Sequence, residues 1–147
     1  MVRRFYRRSR PVLLCEVAES RQEVAAIAAG PELLKVVNRT RDRVLGDAIR
    51  QANTFFLRAR GFLGADGLSE GEGLWICPCT GIHSFGMRFE FDALFLDAKR
   101  RVVGVYSRFR RNRLSRVFWN ARGVLELPAG MIESTGTEVG DEIEFLA

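Results

Sequence analysis

At 147 residues with 47% hydrophobic and 28% charged side chains, the chain has a globular rather than a disordered composition, and folding at this length removes about 68 to 70% of the unfolded surface from water, enough for a real core. Its apolar runs are broken by charge or glycine well short of the ~20 residues that a membrane span requires. The net charge of +5 is confined to two places: residues 1–10 hold five Arg, residues 99–116 hold seven Arg and one Lys with no acid, and the remaining ten basic and eighteen acidic residues leave the rest at −8.

In chain order, residues 1–32 read as a basic N-terminal extension and 33–147 as the folded domain. "VLLCEV" at 12–17 is a short strand, and Ser20 with Glu23 forms a capping box for a helix through "RQEVAAIAA" that Gly30 and Pro31 end. The basic start carries only four apolar residues before Glu16, against the ~7 to 15 of an export signal, so a cytoplasmic protein with three reduced thiols is expected. "LLKVV" is a strand, "NRTRD" a turn and "RVLGDAI" a weaker strand, followed by a helix in "TFFLRARGFLG" with Thr54 as its cap. "GLWIC" is a strand ended by Pro78.

In "FEFDALFLD", Phe89, Phe91, Ala93 and Phe95 alternate with Glu90, Asp92, Leu94 and Leu96, so the second half is apolar on both faces and belongs in the centre of a sheet. "DAKR" turns into "RVVGVYS", and "GVLELP" and "DEIEFLA" supply the last strands. Gly130 and Gly140 stand where turns need positive φ. The pattern predicts a mainly β (α+β) fold, a compact antiparallel β-sandwich or barrel-like domain with one or two short helices.

From about Leu33 to the C-terminus the chain resembles the domain of unknown function 192 family. The resemblance rests on "NRT", "TFFLRARGFLG", "LSEGEGLWI", "IHSFGMRFEFDALFLDAKRRVVGV", "VLELPAG" and "VGDEIEF", in that order. It implies a mainly β, sandwich-like domain and no assigned reaction. Many relatives carry Trp before Met and Lys where this chain has Gly86, Met87 and Arg88, so no role for that aromatic transfers.

Cys77, Cys79 and His83 are the residues most suggestive of chemistry. If Pro78 keeps the cysteines extended, their Cα atoms stand nearly 7 Å apart, the limit for a disulfide. Cys-x-Cys-x3-His offers at most three ligands where zinc prefers four, so neither a metal nor a cofactor is expected. His83 could activate Cys79 with Asp92 orienting it, and Cys79, His83 and Asp92 are therefore the catalytic candidates, none of them committed. A carboxylate entering an apolar region needs a cation or several donors, so Asp92 is expected to cluster with Arg88 or His83, either pinning the loop 78–87 or lining a pocket. Glu126, between two leucines, is expected to face solvent or to pair with Arg122.

These readings favour a non-enzymatic binding module. The loop 78–87 and the basic segment 108–116 would form its recognition surface, with His83, Met87, Arg88, Asp92, Arg108, Arg110, Arg111 and Arg113 as binding residues. Its partner is a small ligand or a protein, with nucleic acid or an anionic surface open to the basic segments. The alternatives are a thiol- or metal-dependent enzyme using Cys79 and His83, and an accessory structural subunit.

Overall fold

A computed structural model describes residues 32–52 and 64–147. The strand expected over 12–17, the helix expected over 21–29 and all but the last residue of the helix expected over 54–64 lie outside the described residues. The described chain forms β1 (Leu34–Asn38), β2 (Arg43–Ala52), β3 (Glu72–Ile76), β4 (Phe91–Leu96), β5 (Val102–Phe109), β6 (Gly123–Pro128), the short helix α1 (Met131–Thr135) and β7 (Ile143–Leu146).

Short polar side chains close the two hairpins. Between β1 and β2, Asn38 Oδ1 accepts from the Arg41 amide at 3.1 Å, and between β4 and β5, Asp97 Oδ1 accepts from the amides of Lys99 and Arg101 at 2.8 and 2.9 Å. Each side chain replaces a backbone acceptor and so holds the reversal. Helix α1 was not expected from the sequence. It is a single turn set between Gly130 (φ 95°) and Gly136 (φ 67°), and Gly140 also has positive φ, 98°, as the turn reading requires at Gly130 and Gly140.

The strands make one seven-stranded sheet in the order β5-β4-β6-β3-β2-β1-β7. Its neighbours are antiparallel except β2 and β3, which run parallel, a departure from the antiparallel expectation that follows from the long crossover between them. The sheet curls until its two edges touch. Arg101 ahead of β5 bridges Glu142 ahead of β7, with the Val102 amide donating to Asp141 O at 2.9 Å and the Ile143 amide to Arg100 O at 3.0 Å. The result is a half-barrel whose exposed edges are partly consumed by one another.

Curling creates two cores. All seven strands send side chains into the first, which includes Leu34, Ile49, Trp75, Leu94, Leu125 and Phe145, and only the concave face of a curled sheet can collect residues from every strand. The second covers the convex face, where Leu74, Phe91, Ala93, Phe95 and Val124 meet Ile82, Met87 and Phe118 from loops. Strand β4 is buried at all six positions, as its double apolar pattern predicts. Gly104 leaves room for the convex core, because a Cβ there would stand 2.2 Å from the Phe118 ring.

A polar knot ties the end of the barrel. Buried Asn38 donates to Thr137 Oγ1 at 3.0 Å and to Asp141 Oδ2 at 2.9 Å, while Arg41 and the Glu138 amide donate to the same Asp141 oxygen at 3.0 and 3.1 Å. Burial alone would raise the Asp141 carboxyl, but the hydrogen bonds from Asn38, Glu138 and Arg41 outweigh it and hold the group below its ordinary range.

Candidate functional site

The loop after β3 and the segment after β5 pair as an irregular ribbon laid over the convex core. His83 bridges Leu114. The Ser84 amide donates to Arg113 O at 2.9 Å, the Ser115 amide to Ile82 O at 2.9 Å and the Phe118 amide to Thr80 O at 2.8 Å. Alternation turns Ile82 and Ser84 inward and leaves His83 outside, while Met87 and Phe118 are buried beyond the alternating stretch. Thus the sequence's two candidate segments are brought together.

Ser84 organises the basic turn. Fully buried, its hydroxyl donates to Arg110 O at 2.6 Å and accepts from the Arg113 amide at 2.9 Å, and its carbonyl accepts from the Asn112 amide at 3.2 Å. The backbone of residues 110–113 is thereby held, and Arg108, Arg110, Arg111, Arg113 and Arg116 all stand exposed. Between Asp97 and Glu126 the chain has eight Arg, one Lys and no acid. Beside these cations four bulky apolar side chains project into water: Phe85 at 53% exposure, Leu114 at 72%, Val117 at 46% and Trp119 at 86%. His83 stacks on Phe85, with ring centroids 5.6 Å apart, and the Arg116 guanidinium lies 4.5 Å from the centre of the Phe118 ring.

The other candidates are dispersed. Asp92 is fully buried on the concave side with Leu94 and Leu96. Its two carboxyl oxygens accept from the Arg108 amide at 2.8 Å and the Ile132 amide at 2.7 Å. The expected cluster with Arg88 or His83 does not form, because backbone donors satisfy the group instead; Arg88 pairs at the surface with Asp66 at 2.7 Å. Asp92 therefore fastens the end of β5 to the first turn of α1. Met87 is buried in the convex core.

The cysteines separate as well. Cys77 is disulfide-bonded, which corrects the expectation of reduced thiols throughout, and the Cys77–Pro78 bond is cis rather than extended. Half-buried Cys79 keeps its thiol, which donates to Gly81 O at 3.1 Å and so is directed at a backbone carbonyl rather than at His83. Among the described residues no group of three or more His, Cys, Asp or Glu is placed to hold a metal ion.

Glu126 is the residue that sequence reasoning undervalued. It is only 5% exposed, and among the described residues nothing donates a hydrogen bond to it. Arg122 is exposed, so neither solvent nor that partner explains the carboxyl. Burial pushes it up to about 8. Alternation correctly sets it opposite the leucines, but the face opposite the leucines is the convex core rather than water.

The profile of the DUF192 family, described as Uncharacterized ACR, matches residues 36–145. UPF0127 proteins of Thermococcus sibiricus and Thermococcus gammatolerans are each 31% identical over 115 residues, covering 75% of this chain and 73% and 74% of those proteins. A protein of unknown function from Novosphingobium aromaticivorans, solved by crystallography, shares the fold with a TM-score of 0.67 at 20% identity, covering 80% of this chain and 94% of that one.

Proposed function

Because the chain belongs to the DUF192 family, a group without an assigned activity, we propose its role from its own geometry: a non-enzymatic binding module whose ribbon, residues 78–87 and 108–116, docks on an anionic lipid surface. One observation carries the reading. Five exposed arginines, three of them on a turn whose backbone buried Ser84 holds, stand beside four exposed apolar side chains, two of them aliphatic.

Arginines near an anionic bilayer contribute about 1 kcal/mol each, so five supply on the order of 5 kcal/mol, and apolar side chains entering the interface add to it. Nucleic acid also attracts arginine and stacks on Trp119, but leucine and valine gain little from a phosphodiester backbone. Among the described residues no helix is long and apolar enough to cross a membrane, so this docking would be peripheral. Its test is co-sedimentation with phosphatidylglycerol-containing vesicles, phosphatidylcholine vesicles and labelled single-stranded DNA across a salt series. The expected result is binding to the anionic vesicles that weakens with salt and is lost when Arg110, Arg111 and Arg113 are all replaced by Gln. Absent or salt-independent binding, or tighter binding to DNA, would overturn it.

A further inference from the structure

Cross-strand register places Glu126 in the middle of a five-residue row on the convex face. Ala93 stands directly opposite it on β4 and Leu74 on β3; Tyr106 follows beyond Ala93 and Arg50 beyond Leu74. Directly paired residues share a face, so this carboxyl emerges between a methyl group and a leucine. On its own strand its same-face neighbours are Val124 and Pro128, and Phe91 lies diagonally across on β4. Toward Gly104 the next row is sealed by Phe95 and Phe118, stacked 4.3 Å apart. Toward the other end the next row runs from buried Phe91 through half-buried Pro128 to exposed Glu72.

A carboxyl in such a collar departs from ordinary protein chemistry. Buried polar groups are nearly always hydrogen-bonded, and an unpartnered one weakens the fold that contains it. Asp92, on the adjacent strand β4 and the opposite face of the sheet, shows how this chain treats a structural carboxyl: both of its oxygens receive backbone amides. Glu126, only 5% exposed, receives no hydrogen bond from the described residues and fastens none of their loops.

We propose that Glu126 is the anchor of a binding site for an organic cation, a primary ammonium or a guanidinium carried on an apolar body, with Leu74, Ala93, Val124 and Phe91 as the apolar walls. The N–H donors of such a ligand supply partners that none of the described residues provides, and its hydrocarbon part replaces water against the walls. An anionic ligand is disfavoured at this end of the face, where Glu72 adds a second acid at the rim. Because burial holds the empty site protonated near neutrality, binding releases the carboxyl proton to solvent as the ion pair forms. Affinity therefore rises about tenfold per pH unit until the carboxyl's own titration is passed.

The test is a two-dimensional amide NMR titration of the full chain with butylammonium and methylguanidinium, with 1-pentanol as the uncharged control, at pH 6 and pH 7. Shifts are expected to centre on β3, β4 and β6 around Leu74, Ala93 and Glu126, with about tenfold tighter binding of at least one cation at the higher pH and little response to the alcohol. Glu126→Gln, which keeps shape and removes the charge, should weaken that cation at least tenfold and abolish the pH dependence. The proposal is overturned if neither cation shifts those strands, if the alcohol binds as well as the cations, or if Glu126→Gln binds unchanged. Ala93→Leu provides an independent check, since it blocks the collar without touching the acid; unchanged binding in that variant also counts against the site.

Discussion

Replacing Asp92 by alanine strips the acceptor from two buried amides at once. Its oxygens hold Arg108 N at 2.8 Å and Ile132 N at 2.7 Å, and the residue is fully buried, so water does not take over. Each buried donor left without an acceptor costs about 1 to 3 kcal/mol, which makes the expected loss on the order of 4 kcal/mol. For a protein of this size that lowers Tm by roughly 10 °C or more. Asp92→Asn keeps one acceptor oxygen but presents an NH2 group to the second amide, so it should lose about half as much. Urea unfolding followed by circular dichroism provides the assay, with ΔG taken at unchanged slope. Arg88→Ala is the decisive companion. Were Arg88 the partner of Asp92, its removal would be comparably damaging; because its ion pair among the described residues is with exposed Asp66, a change within about 0.5 kcal/mol is expected. Equal losses in the two variants, or a loss below about 1 kcal/mol for Asp92→Ala, would refute the reasoning.

Three further outcomes follow from the packing. Glu126 is raised from 4.5 to about 8, so its favourable contribution is full below pH 4.5 and is lost as pH rises through 8; the stability of Glu126→Gln relative to the native chain should grow across that interval by on the order of 4 kcal/mol, and a constant gap in pH-dependent urea curves would contradict this. Asp141 is shifted the other way, so its contribution is present above the ordinary carboxylate range and disappears as pH falls through the depressed value; Asp141→Asn should be destabilised at neutral pH and show a shallower acid unfolding curve. In Gly104→Ala the new Cβ collides with the Phe118 ring and should cost about 1 to 3 kcal/mol, a penalty that largely vanishes when Phe118→Ala is added; additive losses in that double-mutant cycle would show that the ring is not the cause.

What could be read from the sequence was local. Alternation in "FEFDALFLD" marked β4 as a strand covered on both sides because both its faces are apolar, although it lies one strand in from the β5 edge rather than at the middle of the sheet. The polar turn residues Asn38 and Asp97 marked turns because their side chains close the turns themselves. The concentration of arginine after Asp97 likewise survives as an exposed surface. The misreadings came from contacts between distant segments. Glu126 has the right parity but the wrong environment, since its face is covered by a ribbon that no periodicity reveals. Asp92 finds two backbone amides, which carry no signature in side-chain identity. The parallel pairing of β2 with β3 depends on where a crossover returns, and a five-residue helix bounded by glycines is too short for a 3.6-residue period to emerge.

The ribbon's role can be examined through its own reporter. Trp75 is 5% exposed and Trp119 is 86% exposed, so a change in tryptophan emission on adding vesicles reports on Trp119. With phosphatidylglycerol-containing vesicles the emission should move to the blue and return as salt is raised, whereas phosphatidylcholine vesicles should leave it unchanged. An emission spectrum indifferent to anionic vesicles, or shifted equally by neutral ones, would contradict docking through this face.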